Sequence, residues 1–119
     1  MTIELRLPFP PTVNHHYGFR GWQRYIKPQG QQFRAEVFAA VRELDLKPLT
    51  GRLAVLVELF PDSRRRMDVM NREKPLCDAL THAGVWLDDS QIDDFRIVRR
   101  EIVKGGAVRV VIDEIGSDT

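Results

Sequence analysis

Two segments within the first 44 residues repeat their apolar positions, each with a different period. Ile3, Leu5 and Leu7 are separated by single polar residues, which is the period of a half-buried strand. Residues 12–29 show neither period and are predicted to form a loop. Residues 31–44 carry apolar side chains every three or four positions, which predicts a helix with one buried face. Those side chains are Phe33, Val37, Val41 and Leu44.

The middle of the chain predicts a buried strand followed by a second helix. Residues 53–60 are almost all apolar, which is typical of a central strand covered on both faces. Residues 71–84 repeat apolar side chains at helical spacing and end at Gly84, a residue suited to a helix C-cap. Pro75 is compatible with this helix only in its first turn, because proline lacks a backbone N–H.

Two further strands are expected in the last 25 residues. The segments 95–103 and 107–115 are predicted to pair as a hairpin across Gly105 and Gly106. The resulting order is β-α-β-α-β-β, an α/β (α+β) fold in which two helices pack against a small mixed sheet. At 119 residues and 43% apolar composition, we expect one domain spanning residues 1–119.

A net charge of +1 hides strong segregation of charge along the chain. Residues 1–35 hold five basic residues against one acid, whereas residues 78–94 hold five Asp and no Lys or Arg. The single Cys77 excludes an internal disulfide and a cysteine-based zinc site. No apolar run reaches the ~20 residues of a membrane span, and the N-terminus lacks a signal-peptide pattern, so we expect a cytoplasmic protein.

Carboxylates flank the predicted second helix. Asp68 lies just before it, and Asp88 and Asp89 follow it. Such carboxylates come together only if the chain after the helix returns toward the start of the helix. Gathered carboxylates repel unless a divalent cation is present, and hard oxygen ligands favour Mg²⁺ or Mn²⁺. The alternative is that these residues form turns and carry solvated surface charge.

Basic residues surround Asp68. Arg64, Arg65 and Arg66 precede it, and Arg72 and Lys74 follow it. Cations beside a carboxylate suit a site that handles a phosphate, in which Lys74 would stabilise charge on the reacting group. An exposed basic loop without a specific ligand is the alternative.

The predicted loop 12–29 interleaves aromatic and basic side chains. Tyr17, Phe19, Trp22 and Tyr25 alternate with arginines and a lysine. This mixture suits stacking on bases combined with phosphate contacts. A long loop in a small domain also needs aromatic anchors to remain folded, and the sequence leaves both roles open. The neighbouring His15 and His16 do not indicate a metal site.

The ordered set of these motifs resembles the RusA family of small, prophage-type Holliday-junction resolvases. The resemblance covers nearly the whole chain. It is carried by residues 7–14 (LPFPPTVN), 64–71 (RRRMDVMN), Lys74, 78–81 (DALT), 83–91 (AGVWLDDSQ), 95–98 (FRIV) and 104–106 (KGG). It implies a homodimer that binds four-way DNA junctions and makes paired nicks with magnesium or manganese held by aspartates.

The resemblance also assigns roles to individual residues. The family's metal-binding aspartates match Asp68 and Asp89, with Asp88 beside them, and the catalytic lysine matches Lys74. DNA contacts are implied for Asn14, Arg64, Arg65, Arg66 and Asn71.

Met70 departs from the family pattern. It occupies the position of the family's second motif aspartate, and a thioether is a poor ligand for a hard cation. The fourth residue of the family's arginine run falls on Met67. The protein therefore uses fewer carboxylates, recruits Glu73 or Asp88 instead, or binds junctions without cutting them. A resemblance in fold alone is a further alternative.

Overall fold

The computed structural model describes residues 2–116 and contains a four-stranded mixed sheet with two long helices. The elements are β1 (Thr2–Leu7), α1 (Val13–His16), β2 (Tyr17–Arg20), β3 (Gln23–Ile26), α2 (Pro28–Glu43), β4 (Arg52–Phe60), α3 (Met70–His82), a 3₁₀ turn (Asp89–Gln91), β5 (Ile92–Arg99) and β6 (Ala107–Gly116). The sheet order is β1-β6-β4-β5, with β4 and β5 parallel and the other neighbours antiparallel. The predicted class, mixed sheet and order of the main elements are confirmed.

One face of the sheet packs against the two long helices. Leu53, Val55, Val57 and Leu59 alternate along β4 and are buried in a cluster with apolar residues of α2 and α3. Each such side chain contributes about 1.5–3 kcal/mol when it leaves water. The helical residues in this cluster are Phe33, Val37, Val41, Leu76, Cys77, Ala79 and Leu80.

The opposite face of β4 is only half-buried, so the prediction of a strand covered on both faces is wrong. Glu58 lies on this face, where its two carboxylate oxygens accept hydrogen bonds from Arg109 and Arg100 at 2.5 and 2.6 Å. Arg109 also donates to Glu4 at 2.7 Å. The bond from Arg109, followed by that from Arg100, lowers the pKa of Glu58. The apolar sequence of β4 therefore did not distinguish a strand buried on one face from a strand buried on both faces.

The predicted hairpin between the last two strands is also wrong, because β4 lies between β5 and β6. Residues 100–106 pass around the end of β4. The N–H groups of Arg100 and Val103 donate to the carbonyls of Leu59 and Pro61 at 2.8 and 2.9 Å. Gly105 and Gly106 have φ of +83° and +73°, so the two glycines turn the chain into β6 after it has crossed.

The region predicted as a loop, 12–29, is ordered instead as α1 and the β2–β3 hairpin. Phe19 pairs with Arg24 and Arg20 with Gln23 around a two-residue turn. The hairpin belongs to its own two-stranded sheet, and most of its side chains are exposed, so it shows no alternation of apolar and polar positions.

Both long helices differ from their predicted bounds by a few residues. The first begins at Pro28 rather than residue 31, because proline fits the first helical position without loss of a hydrogen bond. Pro75 lies beyond the first turn of α3, against expectation, and offers no N–H to the carbonyl of Asn71. Within residues 2–116, no helix has both the length and the apolar character needed to cross a bilayer.

Candidate active site

Helix α3 connects the two groups of residues that the sequence singled out. Residues 61–69, here the arginine segment, lead into its N-terminus. Residues 83–91, here the return segment, follow its C-terminus. The two segments bear the candidate carboxylates at positions 68, 88 and 89.

Asp68 lies at the entrance of α3 with an exposed side chain. Its Oδ1 accepts a hydrogen bond from the N–H of Met70 at 3.0 Å, and its carbonyl accepts one from Asn71 at 3.1 Å. Val69, between them, has helical φ and ψ of −63° and −32°. Because the backbone between them is helical, residues 68 and 70 do not share one face as they would in a strand.

The three arginines of the arginine segment are exposed and outside regular structure, as predicted. The backbone of Arg65 contacts Ser63 Oγ at 3.3 Å and accepts a weak bond from Arg99 at 3.4 Å. Arg65 and Arg66 line a groove of about 370 Å³, which Gly105 and Gly106 also line. The guanidinium groups are therefore available to an anionic ligand.

Arg72 has a different environment from the arginine segment. Its Nη1 donates to the carbonyl of Pro10 at 2.6 Å, and its guanidinium lies 5.0 Å from the centroid of the Phe9 ring. Burial lowers the pKa of Arg72. Through these two contacts, Arg72 connects α3 to Phe9 and Pro10, which follow β1.

The return segment is held by a dense set of hydrogen bonds around Gln91. The side-chain oxygen of this buried residue accepts from the N–H groups of Leu87 and Asp88 at 2.8 and 2.9 Å. Its amide nitrogen donates to the carbonyls of Leu49 and Gly51 at 2.9 and 3.0 Å. All four polar contacts fix where the neighbouring acidic pair can lie.

The turn out of α3 brings the return segment back along the helix. Gly84 has a φ of +83°. Its N–H donates to the backbone carbonyl of Thr81, and the N–H of Val85 donates to the carbonyl of Leu80. These two bonds form the Schellman arrangement that glycine favours, which confirms the predicted C-cap. The indole N–H of the buried Trp86 then donates to the Thr81 hydroxyl at 2.6 Å.

Asp88 and Asp89 have opposite electrostatic environments. The N–H of Ser90 donates to Asp88 at 2.9 Å, and this bond lowers the pKa of Asp88. Partial burial, the hydrogen bond with Asp88 and the charge of Asp78 raise the pKa of Asp89, whereas Lys74 lowers it. Asp89 therefore lies within electrostatic range of Lys74 and Asp78 in the middle of α3. Its meeting with Asp68 at the start of the helix stays a prediction.

Tyr17 and Asp78 lie next to Lys74, a contact that the sequence analysis did not predict although it considered Tyr17 for stacking and Asp78 as part of a family motif. The Tyr17 hydroxyl donates to Asp78 Oδ2, and the Lys74 ammonium lies 3.6 Å from the same oxygen. Burial and this bond raise the pKa of Tyr17. The spacing of Lys74 and Asp78, four residues apart on a helix, was the available signal.

Met70 and Glu73 occupy the first turn of α3. Met70 is 68% exposed, so the thioether does not anchor the helix entrance. Burial, followed by the negative charge of Glu73, raises the pKa of Cys77. The charge of Asp89 acts in the same direction on this pKa, so Glu73 and Asp89 both lie within electrostatic range of Cys77.

The two asparagines lie on different helices. Asn14 is exposed on α1, where its carbonyl accepts from the Lys27 ammonium at 2.8 Å. Asn71 is half-buried as the second residue of α3. Among residues 2–116, no three His, Cys, Asp or Glu side chains are grouped closely enough to hold a metal ion by themselves.

The fold and this site define a small mixed α/β domain with exposed arginines near a lysine and carboxylates, a combination suited to a polyanionic ligand. The family model for endodeoxyribonuclease RusA matches residues 8–113. The chain belongs to the RusA family of endodeoxyribonucleases, and the resemblance seen in the sequence is confirmed.

Individual relatives match the chain over nearly its full length. A crossover junction endodeoxyribonuclease RusA of Shigella sonnei is 35% identical over 98% of both chains, and that of Escherichia coli K12 is 34% identical over the same share. The enzyme of the same name from Enterobacteria phage HK97 is 42% identical over 93% of both chains.

Proposed function

We propose that this protein is a metal-dependent endonuclease that resolves four-way DNA junctions by paired nicks, within the cytoplasm. The observation that carries the proposal is the 34–42% identity, over nearly the whole chain, to relatives named crossover junction endodeoxyribonucleases. The exposed arginine segment beside Asp68 and the contact of Lys74 with Asp78 support it from the chain's own residues.

The carboxylates at both ends of α3 would hold a magnesium or manganese ion. Mg²⁺ is usually bound by one or two carboxylates, with waters and substrate phosphates completing its coordination. Asp68 and Asp89 would supply two such oxygen donors, and Asp88 lies beside Asp89 in the chain. A bound divalent ion activates water and stabilises the leaving oxygen in phosphodiester cleavage.

The remaining residues of the site would bind and orient DNA. Lys74 is held by Asp78 and would place its positive charge near the reacting phosphate. Arg64, Arg65 and Arg66 would contact the backbone along the arginine segment, and Asn14 and Asn71 would contribute further DNA contacts.

We further propose that the active form is a homodimer. Paired nicks in opposing strands need two sites related by a twofold axis, and one chain supplies one. Light scattering should show a dimer at micromolar concentration or on junction DNA, and a monomer in both conditions would contradict this.

The direct test is cleavage of a four-way junction with Mg²⁺, with Mn²⁺ and with a chelator. We expect symmetric nicks near the branch point with either metal, and intact DNA with the chelator. A linear duplex of the same sequence is the control, and it should remain uncut.

A junction-binding protein without nuclease activity is the second candidate function. The observation that favours it is Met70, which is exposed where the family pattern has an aspartate. Junction binding without cleavage under both metals would establish this alternative and overturn the nuclease.

A further inference from the structure

The β2–β3 hairpin displays two large aromatic side chains to solvent. Trp22 is 102% exposed and Phe19 is 71% exposed, whereas Trp86 is 1% exposed. An aromatic residue that anchors a segment to a core is buried, so Trp22 and Phe19 do not hold this hairpin in place. Of the two roles that the sequence left open for the aromatic side chains, this pair fits ligand binding.

The base of the hairpin, in contrast, is fixed to the body of the protein. Four-residue strands are not stable as an isolated hairpin. Tyr17 is buried and its hydroxyl donates to Asp78, while the N–H of Lys27 donates to the His16 carbonyl at 2.8 Å. The ring of Tyr25 lies so close to Gly18 that a Cβ there would come within 2.5 Å of it. The fixed base leaves the exposed tip free to contact a ligand.

The charge of the hairpin indicates the chemistry of that ligand. Residues 17–27 include Arg20, Arg24 and Lys27 and no Asp or Glu. The guanidinium of Arg24 lies 4.5 Å from the centroid of Tyr17, and that of Arg20 lies 5.5 Å from that of Tyr25. Exposed aromatic faces with cations and without acids complement nucleic acid whose bases are accessible for stacking.

The position of the hairpin relates it to the candidate active site. Asp78 contacts both Tyr17 at the base of the hairpin and Lys74. A strand rises about 3.3 Å per residue, so four residues place the tip roughly 13 Å beyond this base. That length is about four base steps of 3.4 Å. Base faces are covered by stacking within a duplex and become accessible where strands exchange.

We propose that the tip of the β2–β3 hairpin is a base-stacking element, in which Trp22, supported by Phe19, stacks on bases at the branch point of a DNA junction. Arg20 contacts a neighbouring phosphate. The inference rests on the proposed junction binding and names the part of the DNA that this hairpin contacts.

The test measures binding of the full-length protein to a junction with 2-aminopurine at the branch point, in a chelator so that the DNA stays intact. Wild type should change the fluorescence of this base, and Trp22→Ala should lose the change. Trp22→Ala should also weaken binding about tenfold or more without changing how the affinity depends on salt. Arg20→Gln should instead reduce the salt dependence of the affinity, because a phosphate contact is lost. Trp22→Phe should restore most of the affinity.

Controls separate stacking from other causes. Leu46→Ala removes another exposed apolar side chain, 39% exposed and outside the hairpin, and should bind as wild type does. A 2-aminopurine placed in the middle of one arm should not respond. Melting temperatures of all variants should match wild type, because Trp22 makes no buried contact.

Two results would overturn the stacking role: wild-type affinity in Trp22→Ala, or a change from dimer to monomer in DNA-free Trp22→Ala, which would assign the tip to a second copy of the chain. Absence of any junction preference in wild type would instead overturn the proposed function. In that case, the stacking role is tested with a single-stranded oligonucleotide. The role requires that Trp22→Ala bind this oligonucleotide more weakly than wild type does.

Discussion

The two segments that flank α3 bear equivalent candidate carboxylates on backbones of very different rigidity. The return segment is fixed by the four hydrogen bonds of Gln91 and by the buried Trp86. The arginine segment is held by a few local bonds and exposes its arginines. One half of the candidate site is therefore preorganised, whereas the other half has few contacts that would oppose a change of conformation.

The largest expected effect tests whether both segments belong to one site. Asp68→Asn and Asp89→Asn should each abolish cleavage, because an amide of the same shape lacks the charge that holds a divalent ion. Junction affinity should be kept or improved, since a negative charge near phosphates is removed. Nicking assays and binding titrations measure the two quantities.

Asp45→Asn is the matched control for these substitutions. Asp45 is exposed and has φ of +49°, a conformation that asparagine adopts equally well. This variant should cut as wild type does. Metal-dependent cutting by Asp68→Asn would show that the arginine segment does not contribute to the metal site.

The next effect measures the rigidity of the return segment. Gln91→Ala leaves buried donors and acceptors without partners and should lower the free energy of unfolding by about 2–4 kcal/mol. Ser63→Ala, in the arginine segment, should change it by less than about 0.5 kcal/mol. Urea unfolding followed by circular dichroism measures the free energy of unfolding of both variants. Equal losses would show that the two segments do not differ in rigidity.

A smaller effect concerns DNA binding by the arginine segment. Arg65→Ala should weaken junction binding and reduce the slope of log affinity against log salt by about 1, because one phosphate contact is lost. Its melting temperature should stay unchanged, since the side chain is exposed. A drop in melting temperature with unchanged binding would make this arginine structural.

The last prediction concerns Met70, where a small stabilising effect is expected. An apolar anchor at this position would make Met70→Asp destabilising by several kcal/mol. With the side chain 68% exposed at the N-terminus of α3, an acid should instead stabilise by about 0.3–1 kcal/mol. A carboxylate here should also lower the metal concentration needed for cleavage, which a metal titration of nicking measures. An unchanged metal requirement would show that position 70 does not face the metal.

Local signals in the sequence were sufficient for the two long helices and the first strand. Periodicity predicts α2 and α3, and Gly84 predicts where α3 ends, because these features depend on residues within one or two turns. The resemblance to the family assigned the candidate residues on both flanking segments.

Features that depend on distant residues were not predictable in this way. The pairing of β6 with β4 rather than β5 depends on a crossover whose bonds reach Leu59 and Pro61. The contact between Tyr17 and Asp78 joins residues 61 positions apart. The hairpin lacks an apolar alternation because it is exposed.

The central position of β6 also constrains the order of folding. It is the last described element along the chain, yet it pairs with both β1 and β4, with Leu5 opposite Val110. During synthesis, β1 must wait until β6 leaves the ribosome before it gains its partner strand. Pairing across such sequence separations makes folding slow compared with helical proteins, so a nascent chain ending near residue 106 should remain open to proteases.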